Sequence, residues 1–411
     1  MIRRSLCLTC ALLGSLVALV AAPAAGTWKD LPVDPAASPE TVALYQTLRR
    51  VAQDQLLIGH TDTNIMGINR DGTGWSYDEN RSDVKDIVGD YPAVYGFDIV
   101  NLEFRDPDSV DDLRFIVPRI RDAFSRGGIA TVSWHAYNPI TAEDFYKGSP
   151  VRELLPGAPH HDKLRRMLDR LADLIGNLSD GKGKSIPILF RPWHEANGSQ
   201  FWWGRDRCSD LEYIRLFRFT LEYLRDVRKV HNFLYVYSPV DWYGSMTDYM
   251  QRYPGDETID VLGLDTYGSA SGWYRDRLRY YTGEMVRHAE KTGKIAAVTE
   301  MGYKNSEQEA GFGYCQNPAF LSRFLLETFR DDPVARRISY LVFWRNEAYN
   351  PGTYYLPYPG SAHEADLQRF FQAPFTWFES DLPDMYRSPP IQPVFSRLRG
   401  PQNRAIADPH E

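Results

Sequence analysis

The sequence predicts an α/β fold, a single (β/α)8 barrel, on the strength of two observations. Short apolar runs rich in β-branched residues alternate eight times with longer segments of helical periodicity, which is the pattern of a parallel sheet with crossover helices. Polar residues collect at the carboxyl ends of the apolar runs, where a barrel carries its functional loops. An open, doubly wound sheet gives a similar pattern, but eight repeated units favour closure into a barrel.

Each predicted strand is a run of mostly apolar residues, as a sheet covered on both faces requires. The eight strands are predicted at residues 56–60, 93–98, 129–135, 187–194, 233–238, 261–267, 295–300 and 340–345. Helical patterns lie between them, for instance at residues 161–178, 211–229 and 273–292. No internal repeat or second linker is evident, so residues 27–411 are predicted to form one catalytic domain with an irregular C-terminal tail.

The first 26 residues have the features of a secretory signal peptide. Arg3 and Arg4 precede an apolar run over residues 6–20, and this run leads to a cleavage site of the A-x-A type at residues 22–24. The run is short for a membrane span, and no basic stop-transfer sequence follows it. We therefore expect a secreted or periplasmic protein without a membrane segment.

The charge pattern excludes some classes of partner. The chain has 47 basic and 54 acidic residues, mixed along its length, and a formal net charge of −7. This distribution leaves no basic stripe for nucleic acid or for a membrane surface, so we expect an uncharged partner. No cofactor is predicted, and the protein is expected to be a monomer.

Metal binding is considered and not predicted. Cys208 and Cys315 follow the predicted signal peptide without the paired spacing of a zinc site, and they either form a disulfide or remain free thiols. Three histidines at strand ends, His60, His135 and His194, form another candidate set because imidazole is a common zinc ligand. They lack the H-E-x-x-H spacing, so a metal-dependent hydrolase is kept only as an alternative.

Two glutamates are the predicted catalytic residues. Glu195 follows the fourth strand in R-P-W-H-E-A-N-G, and Glu300 ends the seventh strand in A-V-T-E-M-G. Cleavage of a glycosidic bond uses two carboxyl groups, one that donates a proton and one that attacks the sugar or activates water. In a closed barrel these two strand ends face each other across the mouth. The alternative is that either glutamate forms only an ion pair, with Arg191 or Arg345.

Eight further residues at or after the strand ends are candidate substrate contacts, because rings stack on sugar faces and polar side chains bind hydroxyl groups. They are His135, His194, Trp202, Trp203, Asp265, Tyr267, Trp344 and Arg345. Tyr267 is expected to donate a hydrogen bond to Glu300 and keep it ionised. Asp265 is expected to bind hydroxyls or to fix Arg345, and Trp344 to form the floor. Some rings of the Trp202 cluster are alternatively structural.

The segment R-P-W-H-E-A-N-G-S-Q-F-W-W-G resembles the acid/base segment of glycoside hydrolase family 26, the β-mannanases and their relatives. The segments S-W-H, G-L-D-T-Y, V-T-E-M-G and V-F-W-R-N are similar to other segments of that family, in the same order, and together they cover residues 56–350. The resemblance implies a retaining double displacement with Glu195 as acid/base and Glu300 as nucleophile. It also implies that His135, His194, Trp344 and Arg345 bind the sugar next to the cleavage point, while Tyr267 holds Glu300.

The predicted function is endo-β-1,4-mannanase activity on mannan, glucomannan or galactomannan. Relatives that act on mixed-linkage β-glucan or β-1,3-xylan, and a noncatalytic polysaccharide-binding barrel, are the alternatives. One position departs from the family pattern: Gln200 stands where family members often carry an aromatic residue that stacks on the leaving-side sugar. This departure puts leaving-side binding in question.

Overall fold

Eight parallel strands form a closed ring at the centre of the protein. The computed structural model describes residues 31–100, 113–241, 244–306, 308–350 and 353–388. The strands are β1 (Leu56–Thr61), β2 (Val94–Val100), β3 (Ile129–His135), β4 (Ile188–Arg191), β5 (Phe233–Tyr237), β6 (Val261–Gly268), β7 (Ile295–Tyr303) and β8 (Tyr340–Phe343). Each strand pairs with the next, and β8 also pairs with β1, with Leu57 opposite Tyr340. The predicted (β/α)8 barrel is confirmed.

Ten α-helices occur in the described part of the chain. They are α1 (Pro39–Val51), α2 (Asp83–Val88), α3 (Leu113–Arg126), α4 (Val151–Leu154), α5 (His161–Ile175), α6 (Asp210–Glu222), α7 (Met246–Met250), α8 (Gly272–Thr292), α9 (Leu326–Arg330) and α10 (Glu364–Gln372). The smaller elements are π-helical turns at Tyr223–Val227 and Phe320–Leu325, 3₁₀ turns at Phe312–Tyr314, Ala335–Arg337 and Glu379–Asp381, a hairpin of Met66–Ile68 with Gly74–Ser76, and a strand, Thr376–Trp377, beside β1. The three helices predicted from periodicity correspond to α5, to α6 with its π-helical turn, and to α8.

Side-chain caps fix where the two helices nearest the predicted site begin. Ser209 and Glu212 form a reciprocal capping box at the start of α6. Ser271 caps α8 by accepting a hydrogen bond from the backbone N–H of Tyr274 at 3.1 Å, and Gly293 ends that helix in the left-handed conformation. Caps satisfy N–H and C=O groups that have no partner within the helix. They therefore set the lengths of the loops that follow β4 and β6.

The barrel interior is filled with side chains and closed at its amino-terminal end. Buried residues of all eight strands form this layer, among them Leu57, Ile129, Leu189, Val261 and Val342. Leu44 and Leu48 of α1 pack against the same cluster, and the Ser339 hydroxyl donates to the Leu48 carbonyl at 3.0 Å. Met385 also packs there and is fully buried. In the described part of the chain, the amino-terminal end of the barrel is thus closed, and the end formed by the carboxyl ends of the strands is the one open to a ligand.

Strand β7 carries a bulge at its carboxyl end. The two-residue step from Val298 to Glu300 faces a single step, from Leu264 to Asp265, on β6. The register against β8 shifts in the same stretch. A bulge lets two consecutive side chains turn to the same face, which regular alternation forbids. Thr299 and Glu300 therefore both face the inside of the barrel mouth.

The chain ends fall largely outside the described residues. This applies to the predicted signal peptide, residues 1–26, and to residues 389–411 of the predicted tail. Residues 382–388 have no regular secondary structure and are held at the barrel by Met385. Within the described ranges, no helix combines the length and the apolar character that a membrane crossing requires.

Cys208 and Cys315 are free thiols. Of the two alternatives left by the sequence, a disulfide or free thiols, the structure has the second. Both are buried, and burial raises the pKa of each thiol to about 11. The Cys208 Sγ donates to the Trp203 carbonyl at 3.4 Å. Because the thiolate is the reactive form, both side chains are unreactive at neutral pH.

Candidate active site

A cleft of about 660 Å³ opens at the carboxyl ends of the strands, where the loops after β3 to β8 meet. Six of the ten predicted site residues line it: His135, His194, Glu195, Tyr267, Glu300 and Trp344. The other four, Trp202, Trp203, Asp265 and Arg345, lie beside it without lining it. The barrel thus brings both predicted catalytic carboxyl groups into one cavity.

The turn after β4 aims Glu195 into the cleft. Strand β4 ends at Arg191, and both Trp193 and Glu195 then adopt the left-handed conformation, with φ of 52° and 54°. This conformation costs non-glycine residues about 1–2 kcal/mol each. Two hydrogen bonds hold the turn: the Trp193 indole donates to Thr220 Oγ1 at 3.0 Å, and the Glu195 N–H donates to the Ser238 carbonyl at 2.7 Å. As a result, the Trp193 side chain points into the core, whereas the Glu195 side chain points into the cleft.

Glu195 has the surroundings of a proton donor. Burial, reinforced by the negative charges of Glu300 and Asp265, raises the pKa of this carboxyl well above its ordinary value. The Arg191 charge opposes the shift, as does the Gln200 side-chain amide, which donates to Glu195 Oε2. A carboxyl group with a raised pKa stays protonated near neutral pH and can protonate a leaving oxygen.

Glu300 has the surroundings of a nucleophile. Arg191 Nη2 donates to Oε2 at 2.5 Å, and the Tyr267 hydroxyl donates to Oε1 at 2.6 Å. Each carboxylate oxygen therefore has a donor, and the carboxylate is fixed in one orientation. The hydrogen bond expected from Tyr267 is present.

Asp265 occupies a different place from the one expected. Its side chain is fully buried and does not line the cleft, and Arg345 pairs with Asp62 and Asp98 instead. Instead it accepts hydrogen bonds from Arg191 Nη1 and from the hydroxyls of Ser238 and Thr299, the latter two at 2.6 and 2.7 Å. Asp265 therefore positions Arg191, which in turn positions Glu300.

One wall of the cleft is formed by a row of connected polar groups, His194, His135, Asp98 and Arg345. His194 Nε2 lies 3.2 Å from His135 Nε2, and His135 Nδ1 lies 2.8 Å from Asp98 Oδ1. Arg345 donates to Asp98 Oδ2 at 2.5 Å, and its guanidinium lies 4.4 Å from the Trp344 ring centroid. Burial opposes ionisation of Asp98, but the charges of His135 and Arg345 outweigh it and lower its pKa to about 2. Arg345 thus orients the wall from behind.

His194 is neutral in this wall. Burial, together with the positive charges of Arg191 and His135, lowers the pKa of its imidazole well below the ordinary value. A neutral imidazole has one donor and one acceptor nitrogen, so it binds a hydroxyl group without adding charge. This suits the expected contact with an uncharged sugar.

The tryptophans that follow Glu195 are structural. Trp202 and Trp203 have no exposed surface, and their indoles donate to the carbonyls of Ala136 and His194 at 2.8 and 2.7 Å. The structure thus corrects the expectation that these two rings contact sugar. Phe201, stacked on Trp203 at a centroid distance of 4.6 Å, lines the cleft in their place.

The histidines do not assemble into a metal centre among the described residues, where no group of three His, Cys, Asp or Glu side chains is placed to hold an ion. His60 is fully buried, and this burial lowers its pKa to about 3. His135 is engaged by Asp98. The absence of a metal cofactor stays a prediction.

The cleft residues that were not singled out from the sequence include Tyr146 and Trp273. Tyr146 lies in the loop after β3, and Trp273 is the second residue of α8; both line the cleft. No motif surrounds Tyr146. The polar and glycine-flanked setting of Trp273, next to Gly272, was a usable signal, because such a tryptophan is more exposed than one in an apolar run.

The chain is similar to proteins of one family over most of its length. The family model described as "Glycosyl hydrolase family 26" matches residues 33–320. A mannan endo-1,4-β-mannosidase from Bifidobacterium adolescentis is 35% identical over 357 residues, which cover 81% of this chain and 34% of that relative. The chain spans only 34% to 54% of the length of three curated relatives with this activity in their names.

Solved structures of the same family superpose on the barrel. A family 26 β-mannanase from Bacteroides ovatus aligns with a TM-score of 0.77 and 34% identity, covering 85% of this chain and 98% of that one. A modular endo-β-1,4-mannanase from Cellulomonas fimi aligns with a TM-score of 0.78 and 37% identity, covering 87% and 79% of the two chains.

The Gln200 amide provides a test of the protonation state of Glu195. If Glu195 is the proton donor, only its protonated form is active, and kcat/KM falls as the pH rises through its pKa. The amide donor favours the ionised carboxylate, and Gln200→Ala therefore raises the pKa of Glu195 further. We expect the basic limb of the kcat/KM profile to move to higher pH.

The matched control is Asn305→Ala. Asn305 lines the same cleft, but its amide donates to Glu309 at 2.6 Å, so its loss should leave the basic limb in place. A basic limb in the Gln200→Ala protein that stays put or moves to lower pH would contradict the assignment of Glu195 as the protonated group.

Proposed function

The chain belongs to glycosyl hydrolase family 26 and is a glycoside hydrolase, and from this premise we propose that it is a retaining endo-β-1,4-mannanase. The observation that carries the proposal is the pair of glutamates, Glu195 and Glu300, which share one cleft but have contrasting surroundings. Burial raises the pKa of Glu195 and favours its protonated form, whereas Glu300 is held by the donors Arg191 and Tyr267. A double displacement needs this division into acid and nucleophile.

In the first step, a Glu300 oxygen attacks the anomeric carbon while Glu195 gives its proton to the glycosidic oxygen. The bond between the anomeric carbon and that oxygen breaks, and the leaving part of the glycan departs as an alcohol. The remaining sugar is an ester of Glu300, and Glu195 is now a carboxylate. Arg191 and Tyr267 keep the attacking carboxylate in place. The carboxylate is therefore already oriented toward the anomeric carbon when the substrate binds, which lowers the entropic part of the activation barrier.

In the second step, Glu195 takes a proton from a water molecule whose oxygen attacks the anomeric carbon. The ester bond to Glu300 breaks, Glu300 leaves as a carboxylate, and Glu195 is protonated again. Two inversions at the same carbon give net retention. The Gln200 amide supports this step because it donates to the ionised form of Glu195.

The wall of His135, His194, Trp344 and Arg345 is proposed to bind the sugar next to the cleavage point. Three of these side chains line the cleft, and Arg345 fixes Trp344 and Asp98 from behind. The neutral state of His194 suits an uncharged ligand. Mannan, glucomannan or galactomannan is the proposed substrate because the Bifidobacterium relative and the Bacteroides and Cellulomonas structures described above are named as mannan-degrading enzymes.

The localisation, domain organisation, oligomeric state and partners predicted from the sequence are also part of the proposal. Residues 1–26 would direct export, so that the protein is secreted or periplasmic. Residues 27–411 would form one catalytic domain that acts as a monomer. Its partner is a β-linked polysaccharide, with no role for nucleic acid, a membrane or a metal cofactor.

A substrate panel tests the activity. The purified protein is incubated with galactomannan, glucomannan, mixed-linkage β-glucan and β-1,3-xylan, with and without EDTA, and the released oligosaccharides are followed with time. We expect long products from the mannans and no effect of the chelator. Glu300→Ala should lower kcat by at least about 10⁴-fold with the protein still folded, because the nucleophile is gone.

Three outcomes of this panel would overturn parts of the proposal. Products from glucan or xylan alone would change the substrate, and loss of activity in EDTA would replace the mechanism. Near-normal turnover by the Glu300→Ala protein, with circular dichroism like that of the wild type, would remove the nucleophile assignment.

Glu195→Ala tests the acid/base role. On mannan, kcat/KM should fall by about 10²–10⁴-fold, because the leaving alcohol needs a proton. With an aryl β-mannoside whose leaving group needs no proton, the burst of released phenol should persist while the later hydrolysis slows. Equal losses on both substrates, in the burst as well as in turnover, would argue against Glu195 as the proton donor.

A further inference from the structure

A second cavity of about 590 Å³ continues the active-site cleft on the side of α8. It shares Asp241, Trp273 and Arg277 with the cleft, so the two form one groove. Its remaining lining includes Asp276, Tyr280 and Tyr281. None of these residues takes part in the chemistry derived above.

Two large rings in this cavity face solvent. The side chains of Trp273 and Tyr280 are 68% and 47% exposed. They lie seven residues apart on α8, two helical turns, and so share one face with Arg277 between them. Exposed aromatic surface next to a polar cleft is typical of a ligand-binding groove.

The Trp273 ring is anchored to the barrel. The Arg277 guanidinium lies 4.8 Å from its ring centroid and forms an ion pair with Asp241 Oδ1 at 2.9 Å. Asp241 Oδ2 accepts a hydrogen bond from Thr266 Oγ1 at 2.6 Å. Because Thr266 belongs to β6, the exposed ring is coupled to the strands that carry the site rather than held by α8 alone.

The position of the cavity indicates which part of the substrate it meets. The wall of His135, Trp344 and Arg345 follows β3 and β8, whereas Asp241 and Trp273 follow β5 and β6. Glu195 and Glu300, at the ends of β4 and β7, separate these two sectors of the barrel mouth. The sugar on the far side of the cleavage point therefore runs toward α8.

We propose that Trp273 and Tyr280, with Arg277 and Asp276, form a distal subsite for a leaving-side pyranose of a β-linked glycan. The rings stack on the apolar faces of the sugar, and the charged groups bind its hydroxyls. The subsite supplies leaving-side contact at a distance from Gln200, which is engaged with Glu195. This inference rests on the proposed function, because it names where that enzyme's substrate lies.

The test compares Trp273→Ala with the wild type on a long and a short substrate, mannohexaose and mannotriose. Loss of one stacking ring should lower kcat/KM for the hexaose about tenfold and leave the triose, which does not reach α8, within about twofold. Trp273→Phe should recover most of the loss. The matched control is Tyr314→Ala, a similarly exposed aromatic (48%) that lines neither cavity.

Unchanged hexaose kinetics in the Trp273→Ala protein, or equal losses on both substrates, would overturn the subsite. Affinity for mannohexaose is also measured by titration calorimetry in the Glu300→Ala background, where an unchanged value on adding Trp273→Ala would overturn it as well. Failure of the wild type to cut any mannan overturns the proposed function instead, so the two failures are distinguishable.

Discussion

A single buried cation, the guanidinium of Arg191, organises the active site. Its side chain is 4% exposed and bonds Asp265 and Glu300 at the same time. Breaking a buried ion pair by removing one partner costs about 3–5 kcal/mol, so the three groups hold one another in place. Glu195 receives only the more distant field of this cation and an amide donor, and its burial, together with the charges of the two other carboxyl groups, raises its pKa. The different surroundings of Glu195 and Glu300 thus follow from which carboxyl group faces the guanidinium.

Two local departures from regular structure aim Glu195 and Glu300 into the cleft. The bulge in β7 lets Thr299 and Glu300 face the same side, so that one fixes Asp265 while the other enters the cleft. The left-handed residues after β4 turn Trp193 and Glu195 to opposite sides. Both features lie at strand ends, where a bulge or turn leaves the pairing of the rest of the barrel intact.

The tryptophans divide into supports and contacts. Trp193, Trp202 and Trp203 are fully buried and pack edge to face behind the acid/base residue, with centroid distances of 5.0 to 5.5 Å. Trp344 and Trp273 line the cleft from opposite sectors of the mouth. The supporting cluster keeps the turn at Glu195 rigid, whereas the lining rings present flat faces to a ligand.

The sequence by itself determined the barrel and predicted the pair of glutamates that meet in its cleft. Eight apolar runs with polar carboxyl ends are a consequence of covering a parallel sheet on both faces, and this pattern is local. Which polar residues meet was decided by the tertiary structure. Asp265 fixes Arg191 rather than Arg345, and Trp202 and Trp203 are buried, because contacts between different strands depend on register, bulges and side-chain direction. These contacts form only when the barrel closes, and residue spacing along the chain does not predict them.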